Sequence, residues 1–174
     1  MKTYEFTIIA SGLEPDAEGY EDRFFSAGCD DATLSFQKGV IIVEFSREAV
    51  SFSKAVSSAY EGVLRTGAKV ERIEPDHLVN LSDIAERSGL TRQAISLYTR
   101  AERSSGFPNP VARVTSNSPL WDWFEVTEWL HSAAKIDREA VVKARIVKEA
   151  NRFLEQHENH ADNFTRRMEI LEAA

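Results

Sequence analysis

The chain has 174 residues, 43% of them hydrophobic, with three Trp, four Tyr and ten Phe, enough apolar material for one medium domain or two small ones. A net charge of −7 argues against a uniformly basic polyanion binder, and a single cysteine, Cys29, excludes an internal disulfide framework. The opening MKTYEFTIIASGLEP holds too short an apolar run for a secretory leader, and no stretch approaches the ~20 apolar residues of a membrane span, so the expected location is the cytoplasm with no membrane partner.

Residues 3–10 (TYEFTIIA) alternate as a strand with Tyr4, Phe6 and Ile8 on one face, and Ser11-Gly12 and Pro15 end it. Residues 17–27 read as a helix with Tyr20, Phe24 and Ala27 at helical spacing and Gly28 as its stop. Two short strands, 33–36 and 40–45, flank a Lys38-Gly39 hairpin turn. A helix over 48–65 carries Phe52, Val56, Ala59, Tyr60, Val63 and Leu64 inward and closes at Gly67. A last strand, 68–73, ends at Pro75. The order β-α-β-β-α-β is the ferredoxin-like plan, so the expected fold class is α+β. Residues 1–75 then form an association or sensing domain, with Glu74-Pro75-Asp76 as the boundary. The segment Ser11–Asp16 that follows the first strand is acidic and lacks the Arg of a phosphate loop, and no Gly-rich phosphate loop, GxSxG or CxxC occurs anywhere. No enzyme activity and no cofactor are expected.

The stretch LSDIAERSGLTRQAISLYTR, residues 81–100, reads as two short helices about a glycine turn. Ser82 is placed to cap the first, Ile84 and Ala85 face inward, and Gly89 supplies a turn residue with positive φ. Leu90 plugs the corner, Thr91 caps the second helix, and Ile95 and Tyr98 form its inward face. Ser88 is more polar than that inward position usually is. The outward face carries Arg92, Gln93, Ser96, Thr99 and Arg100. Arg pairs bidentately with guanine edges and Gln with adenine edges, and a helix N-terminus also suits a phosphate. The plain alternative is a helical hairpin in a core with solvated arginines.

Charge is unevenly placed. Residues 1–75 hold 8 Lys/Arg against 13 Asp/Glu, a net of −5. Between residues 87 and 113 stand five Arg and only Glu102, a net of +4. Charge within one Debye length, about 8–10 Å, is what a phosphate backbone responds to.

Beyond this stretch, GFPNPV (106–111) is a rigid turn, ARVTSNS (112–118) reads as a strand with Arg113 and a hairpin tip, and PLWDWFEVTEWL (119–130) as a strand then a helix. This combination resembles the winged helix-turn-helix of the excisionase and MerR-type regulators, in which FPxP, a β-hairpin wing and WxxxEVxxWL follow the reading helix. Phe107, Pro108, Pro110, Glu125, Val126, Trp129 and Leu130 carry the match, over residues 78–131, about a third of the chain. The resemblance implies a DNA-binding domain at 76–135. Its expected contacts are Thr91, Arg92, Gln93, Ser96 and Arg100 along a reading helix 91–101, with Arg103 and Arg113 for the backbone. The wing is less basic than many, and the regions outside 78–131 lie beyond the resemblance.

Trp121, Trp123 and Trp129 are expected in the core, and Cys29 as a small buried hydrophobe. His157 and His160 stand three apart near Glu158 and Asp162, but without a third ligand or an HExxH frame no metal is expected. Ile146, Ala150, Phe153, His157, His160 and Phe164 recur at helical spacing over 136–171, read as one long helix or two with a break near 159–163 capped by Asp162 or Asn163. That seam either pairs two chains or packs on the N-terminal domain. Residues 136–174 are accordingly read as a C-terminal helical oligomerisation segment. The resulting expectation is a homodimeric, sequence-specific transcriptional regulator of double-stranded DNA, a repressor. Its rivals are an excisionase-like DNA-bending recombination factor and an antitoxin or immunity-type module whose acidic N-terminal domain binds a protein partner.

Overall fold

The computed structural model describes residues 1–14, 19–100, 105–156 and 161–173. The protein is a mixed α+β chain with one four-stranded antiparallel sheet and, among the described residues, seven helices. It divides into two compact units, Met1–Pro75 together with Glu149–Ala174, and Asp76–Lys148.

The first unit contains β1 (Lys2–Ser11), α1 (Tyr20–Ser26), β2 (Ala32–Gln37), β3 (Val40–Ala49), α2 (Phe52–Arg65) and β4 (Lys69–Glu74), with the strands in the order β2-β3-β1-β4. Two-residue alternation buries Tyr4, Phe6, Ile8 and Ala10 of β1 and Ile41, Val43 and Phe45 of β3 on one face. Phe6 lies opposite Phe45 in register and stacks on it at 5.3 Å. Phe52 of α2 meets Tyr4 and Phe6 at 5.7 and 5.8 Å, so α2 covers this face. The expected start of α2 at Glu48 is corrected: Thr3 and Lys2 pair with Glu48 and Ala49, which keeps both in the sheet. Ser51 then adopts an extended backbone and its hydroxyl accepts from the Lys54 amide, capping the helix. The expected helix over 17–27 is α1, although residues 15–18 lie outside the described part.

Two contacts explain how β2 and α2 are held. The buried Arg47 guanidinium donates to both carboxylate oxygens of Asp31 at 2.8 and 2.6 Å, to the Gly28 carbonyl at 2.6 Å and to the Ser58 hydroxyl at 3.1 Å. Burial works against its charge, but the Asp31 carboxylate more than offsets this and holds Arg47 protonated. Gly62 lets α2 approach Cys29, since a Cβ there would stand 2.9 Å from the Cys29 Sγ. Cys29 is 3% exposed and burial pushes its thiol up, as expected of a small core residue.

The second unit contains β5 (Leu78–Val79), α3 (Leu81–Ser88), α4 (Arg92–Thr99), β6 (Trp121–Asp122), α5 (Trp123–Ser132) and the first part of α6 (Arg138–Gln156). Val79, Ile84, Ile95, Tyr98, Trp121 and Leu130 anchor its core, to which α6 adds Ala144. The rest of α6 and α7 (Ala161–Ala173) belong to the first unit. The segment 136–174 is thus divided between the two units instead of standing apart. The described part of the apolar seam is covered within the chain: Phe164 of α7 is fully buried, stacks on Tyr60 of α2 at 4.0 Å and meets Phe153 at 5.5 Å. Glu61 and Thr165 bond at 2.6 Å, and Lys54–Glu169 and Ser53–Glu172 add two further polar contacts. α7 begins at Ala161, ahead of Asp162 and Asn163, while His157 and His160 lie outside the described residues.

Candidate nucleic-acid interface

The two-helix stretch begins with a cap that differs from the expected one. Asn80, not Ser82, terminates α3: its side chain accepts from the Ser82 and Asp83 amides at 2.7 and 3.1 Å, and the Asp83 carboxylate accepts from the Asn80 amide at 2.9 Å. This reciprocal box satisfies otherwise orphaned N–H groups, and Asn at its head is as good an acceptor as Ser. Asn80-x-x-Asp83 has the spacing of a capping box, but it is masked in the sequence by the more familiar Ser82 beside it. Gly89 ends α3 at φ 68, where a Cβ would be strained, and Leu90 packs against the core. Ser88, polar at an inward position, spends its hydroxyl on the Ile84 carbonyl at 2.6 Å.

Thr91 caps α4 by accepting from the Ala94 amide at 3.1 Å. Ala94, Ile95 and Tyr98 are buried, whereas Thr91, Arg92 and Gln93 are exposed. The helical period makes this split: three consecutive residues at the N-terminus stay in solvent while the next two turn inward. The amides of Arg92 and Gln93, in the first turn, have no helical acceptor. Ser96 is half-buried one turn on, and its carbonyl accepts from Thr99 Oγ1 at 2.9 Å and from the Arg100 amide at 3.3 Å. Arg100 is exposed but is the C-cap of α4, so the expected helix 91–101 shortens to 92–99. Eight residues separate Arg92 from Arg100, about 12 Å along the axis, which places the two guanidinium groups at opposite ends of the helix.

An aromatic group ties α4 to the FPNP turn and α5. Phe107 of the turn stacks near Tyr98 at 6.3 Å and meets Trp129 of α5 edge-on at 5.0 Å, and Tyr98 lies 4.9 Å from Trp129. The Trp121 indole donates to the Pro108 carbonyl at 3.1 Å, and the Trp129 indole to the Ser105 carbonyl at 3.3 Å. Trp121 and Trp123 are buried and Trp129 is half-buried, so these rings are packing residues. Asp122 caps α5 through the Phe124 and Glu125 amides and binds Lys148 at 2.6 Å.

The hairpin between these elements is short. Leu120 exchanges bonds with Ala112, its amide donating at 2.9 Å and its carbonyl accepting from Val111 and Ala112 at 2.7 and 3.2 Å. Arg113 does not lie on a strand as expected. It has φ 50 and opens the turn, its carbonyl accepting from the Ser116 amide at 2.9 Å. A left-handed residue directly after the bridge terminates the pairing. Arg113 and Val114 are exposed at this tip.

The basic island is smaller on the surface than in the sequence. Arg87 donates to the Asp76 carbonyl at 2.6 Å and lies over the Trp123 ring at 5.6 Å, half-buried, so its charge serves the fold. Arg103 lies outside the described residues. Arg92, Arg100 and Arg113 are exposed, and among the described residues none of them forms an ion pair. Thr91, Arg92, Gln93 and Ser96 are gathered on α4, with Arg100 beyond its C-terminus and Arg113 on the separate hairpin. Such a surface can donate hydrogen bonds to phosphates and base edges. Among the described residues no three His, Cys, Asp or Glu side chains converge on a metal position, and no helix is long and apolar enough to cross a membrane.

No family model matches the chain, and no curated protein or solved structure is significantly similar to it.

Proposed function

We propose that residues 76–148 are a winged helix-turn-helix that binds double-stranded DNA sequence-specifically, and that the protein is a transcriptional regulator. The observation that carries this reading is the partition of α4: Ile95 and Tyr98 are buried under α3 and α5 while Arg92 and Gln93, at its N-terminus, are exposed, Arg92 without an ion-pair partner among the described residues. Side chains at the start of such a helix are the ones that reach base edges when it lies in the major groove. Arg92 and Gln93 read bases, Thr91 and the free amides of the first turn meet a phosphate, and Ser96 and Arg100 extend the contact along the groove. The Ala112–Leu120 hairpin acts as a short wing that brings Arg113 to the backbone. The regulator acts as a repressor in this reading, since occupancy of an operator is sufficient to block a promoter.

The N-terminal unit is, on the same proposal, ferredoxin-like. Its element order β-α-β-β-α-β and the antiparallel strand order β2-β3-β1-β4 support this. It serves association, because one small module has a limited DNA contact area, often ~600–1,000 Å², and two modules read two half-sites.

A selection of genomic fragments on the purified full-length protein, followed by footprinting, tests the proposal. The expected result is one enriched motif with a protected site upstream of a coding region. Recovery of no motif, together with a stoichiometric protein partner in a pull-down, would replace the DNA reading by a protein-binding one.

A further inference from the structure

Two exposed helix faces of the first unit carry the same spacing with opposite charge. On α1, Glu21 and Asp22 stand four and three residues before Phe25, which is 66% exposed. On α7, Arg166 and Arg167 stand four and three residues before Ile170, which is 61% exposed. Side chains at those spacings are neighbours on a helix surface, so each face joins two like charges to one apolar group. All four charged residues are exposed. Among the described residues Glu21, Asp22 and Arg166 form no ion pair, and Arg167 shares the Glu149 carboxylate with Arg152, at 3.0 and 3.9 Å. Neighbouring charges do not blunt this contrast: Arg23 is turned about 160° from Phe25 around α1, and Glu169 is engaged by Lys54.

The α7 face borders a groove of about 480 Å³, lined by Phe153 of α6 and by Asn163, Arg166, Arg167, Ile170 and Leu171. Phe153 is buried and Leu171 half-buried, so the groove has an apolar floor beneath a cationic rim. The α1 face has the matching form, an exposed ring beside carboxylates, and Asp30 lines a cleft with Glu21, Asp22 and Phe25. The two faces stand at opposite ends of the sheet. α1 lines that cleft together with Ala32 and Leu34 of the edge strand β2, whereas α6 is bonded through Asn151 to the other edge strand, β4. Phe25 is thus separated from the groove of its own chain by the width of the four-stranded sheet, about 14 Å.

We propose that these faces are the two halves of a head-to-tail interface, in which α1 of one copy docks on the α6–α7 groove of a second copy. Phe25 enters the partner subunit's groove, and a parallel alignment of α1 with α7 sets Glu21 and Asp22 against Arg166 of the partner subunit and Arg167 of the partner subunit. Because the spacing on the two faces is the same, the parallel alignment matches charge with charge and apolar group with apolar group. The antiparallel one sets Phe25 against arginine. The charge match steers the docking, and the buried ring holds it. The two faces differ, so each copy keeps one free face after docking, and assembly continues into a ring or an open chain instead of stopping at a two-fold dimer. The interface deepens the association role proposed for the first unit and uses none of the residues assigned to DNA.

Sedimentation equilibrium of the full-length protein across micromolar to millimolar concentration is the measurement. Species larger than a dimer are expected at the upper end. Phe25→Asp and Ile170→Asp, both at exposed positions, should each weaken association about tenfold or more. Mixed in equal amounts, the two variants should form a heterodimer and stop there. The intact α1 of the Ile170→Asp chain docks on the intact groove of the Phe25→Asp chain, and the two remaining faces are both spoiled. Charge gives a second reading: Arg166→Glu should weaken association about three- to tenfold, and combining it with Glu21→Arg in one chain should recover most of the loss. A wild-type protein that stays monomeric overturns the proposal. So does a wild-type assembly that stops at a dimer, or a mixture of Phe25→Asp and Ile170→Asp that associates no better than either alone. Footprinting reads the DNA site separately, so failure of this interface and failure of the DNA reading are told apart.

Discussion

The amide side chain of Asn151 brackets the backbone of Ile73, accepting from its N–H at 2.7 Å and donating to its C=O at 2.8 Å. Asn151 is 1% exposed and Ile73 is fully buried, so the C-terminal part of α6 completes the hydrogen bonding of β4 in the way a neighbouring strand would. Asn151→Ala should destabilise the first unit by about 2–4 kcal/mol, because it orphans a buried donor and a buried acceptor together. Urea unfolding measures this. A loss below about 0.5 kcal/mol, the range of an ordinary surface substitution, would show that water replaces the amide without cost.

Arg92 and Arg87 carry the same charge in the same island and should behave oppositely. Arg92→Ala should weaken binding to the selected site by about 1–3 kcal/mol and relax preference at one base pair, with stability unchanged. Arg87→Ala removes the bond to the Asp76 carbonyl and the contact with Trp123, and should cost about 1–2 kcal/mol of stability with little effect on site preference. Fluorescence anisotropy on single-base variants of the site, alongside thermal melts, separates the two. Unchanged affinity and preference for Arg92→Ala would reduce it to a surface charge.

A fragment spanning 76–148 should fold and bind duplex DNA by itself, whereas one ending at 135 should be markedly less stable. The shorter fragment lacks Ala144 from the core and Lys148, which pairs at 2.6 Å with Asp122, the buried cap of α5. Removing one partner from a half-buried pair leaves the other charge uncompensated, a cost of order 1–3 kcal/mol or more. With two to four phosphate contacts, affinity of the longer fragment should fall with a log–log salt slope of about −2 to −4. A folded 76–148 fragment with no affinity even at low salt would end the DNA reading.

Burial pushes the Tyr60 hydroxyl up to about 12, from an ordinary value of 10.0. The unfolded chain therefore releases this proton first. The stability contributed by neutral Tyr60 is fully present below about pH 10 and is lost as pH rises toward 12, at up to about 1.4 kcal/mol per pH unit. Urea midpoints of wild type and Tyr60→Phe, followed from about pH 9 upward, check the sign: wild type should lose stability faster. Parallel curves would mean that Tyr60 ionises in the folded protein as easily as in the unfolded one.

Periodicity made several elements legible. Tyr4, Phe6 and Ile8 alternate because a strand with one buried face must alternate, and Phe52, Val56, Ala59, Tyr60 and Val63 recur because α2 buries one stripe. In the candidate site the same logic placed Ile84, Ala85, Ile95 and Tyr98 inside, Gly89 at a positive φ and Thr91 at a cap. These features are local. Each arises from residues within one or two turns of chain, where sequence spacing and spatial neighbourhood coincide.

What sequence alone determined, then, was the set of amphipathic elements, their order and the exposed face of α4. Tertiary structure alone decided where shared faces went. The stripe through Phe153 and Phe164 had two open destinations, a second chain or the N-terminal unit, and packing against Tyr60 chose the latter. Glu48 and Ala49 look helical by spacing, yet pairing with Thr3 and Lys2 holds them in the sheet. Arg87 counts toward the basic island in the sequence, and in the fold its guanidinium meets the Asp76 carbonyl. In each case the deciding partner lies far along the chain or in a backbone group that carries no sequence signal. An apolar or charged side chain specifies that it must be satisfied, and only the fold specifies by what.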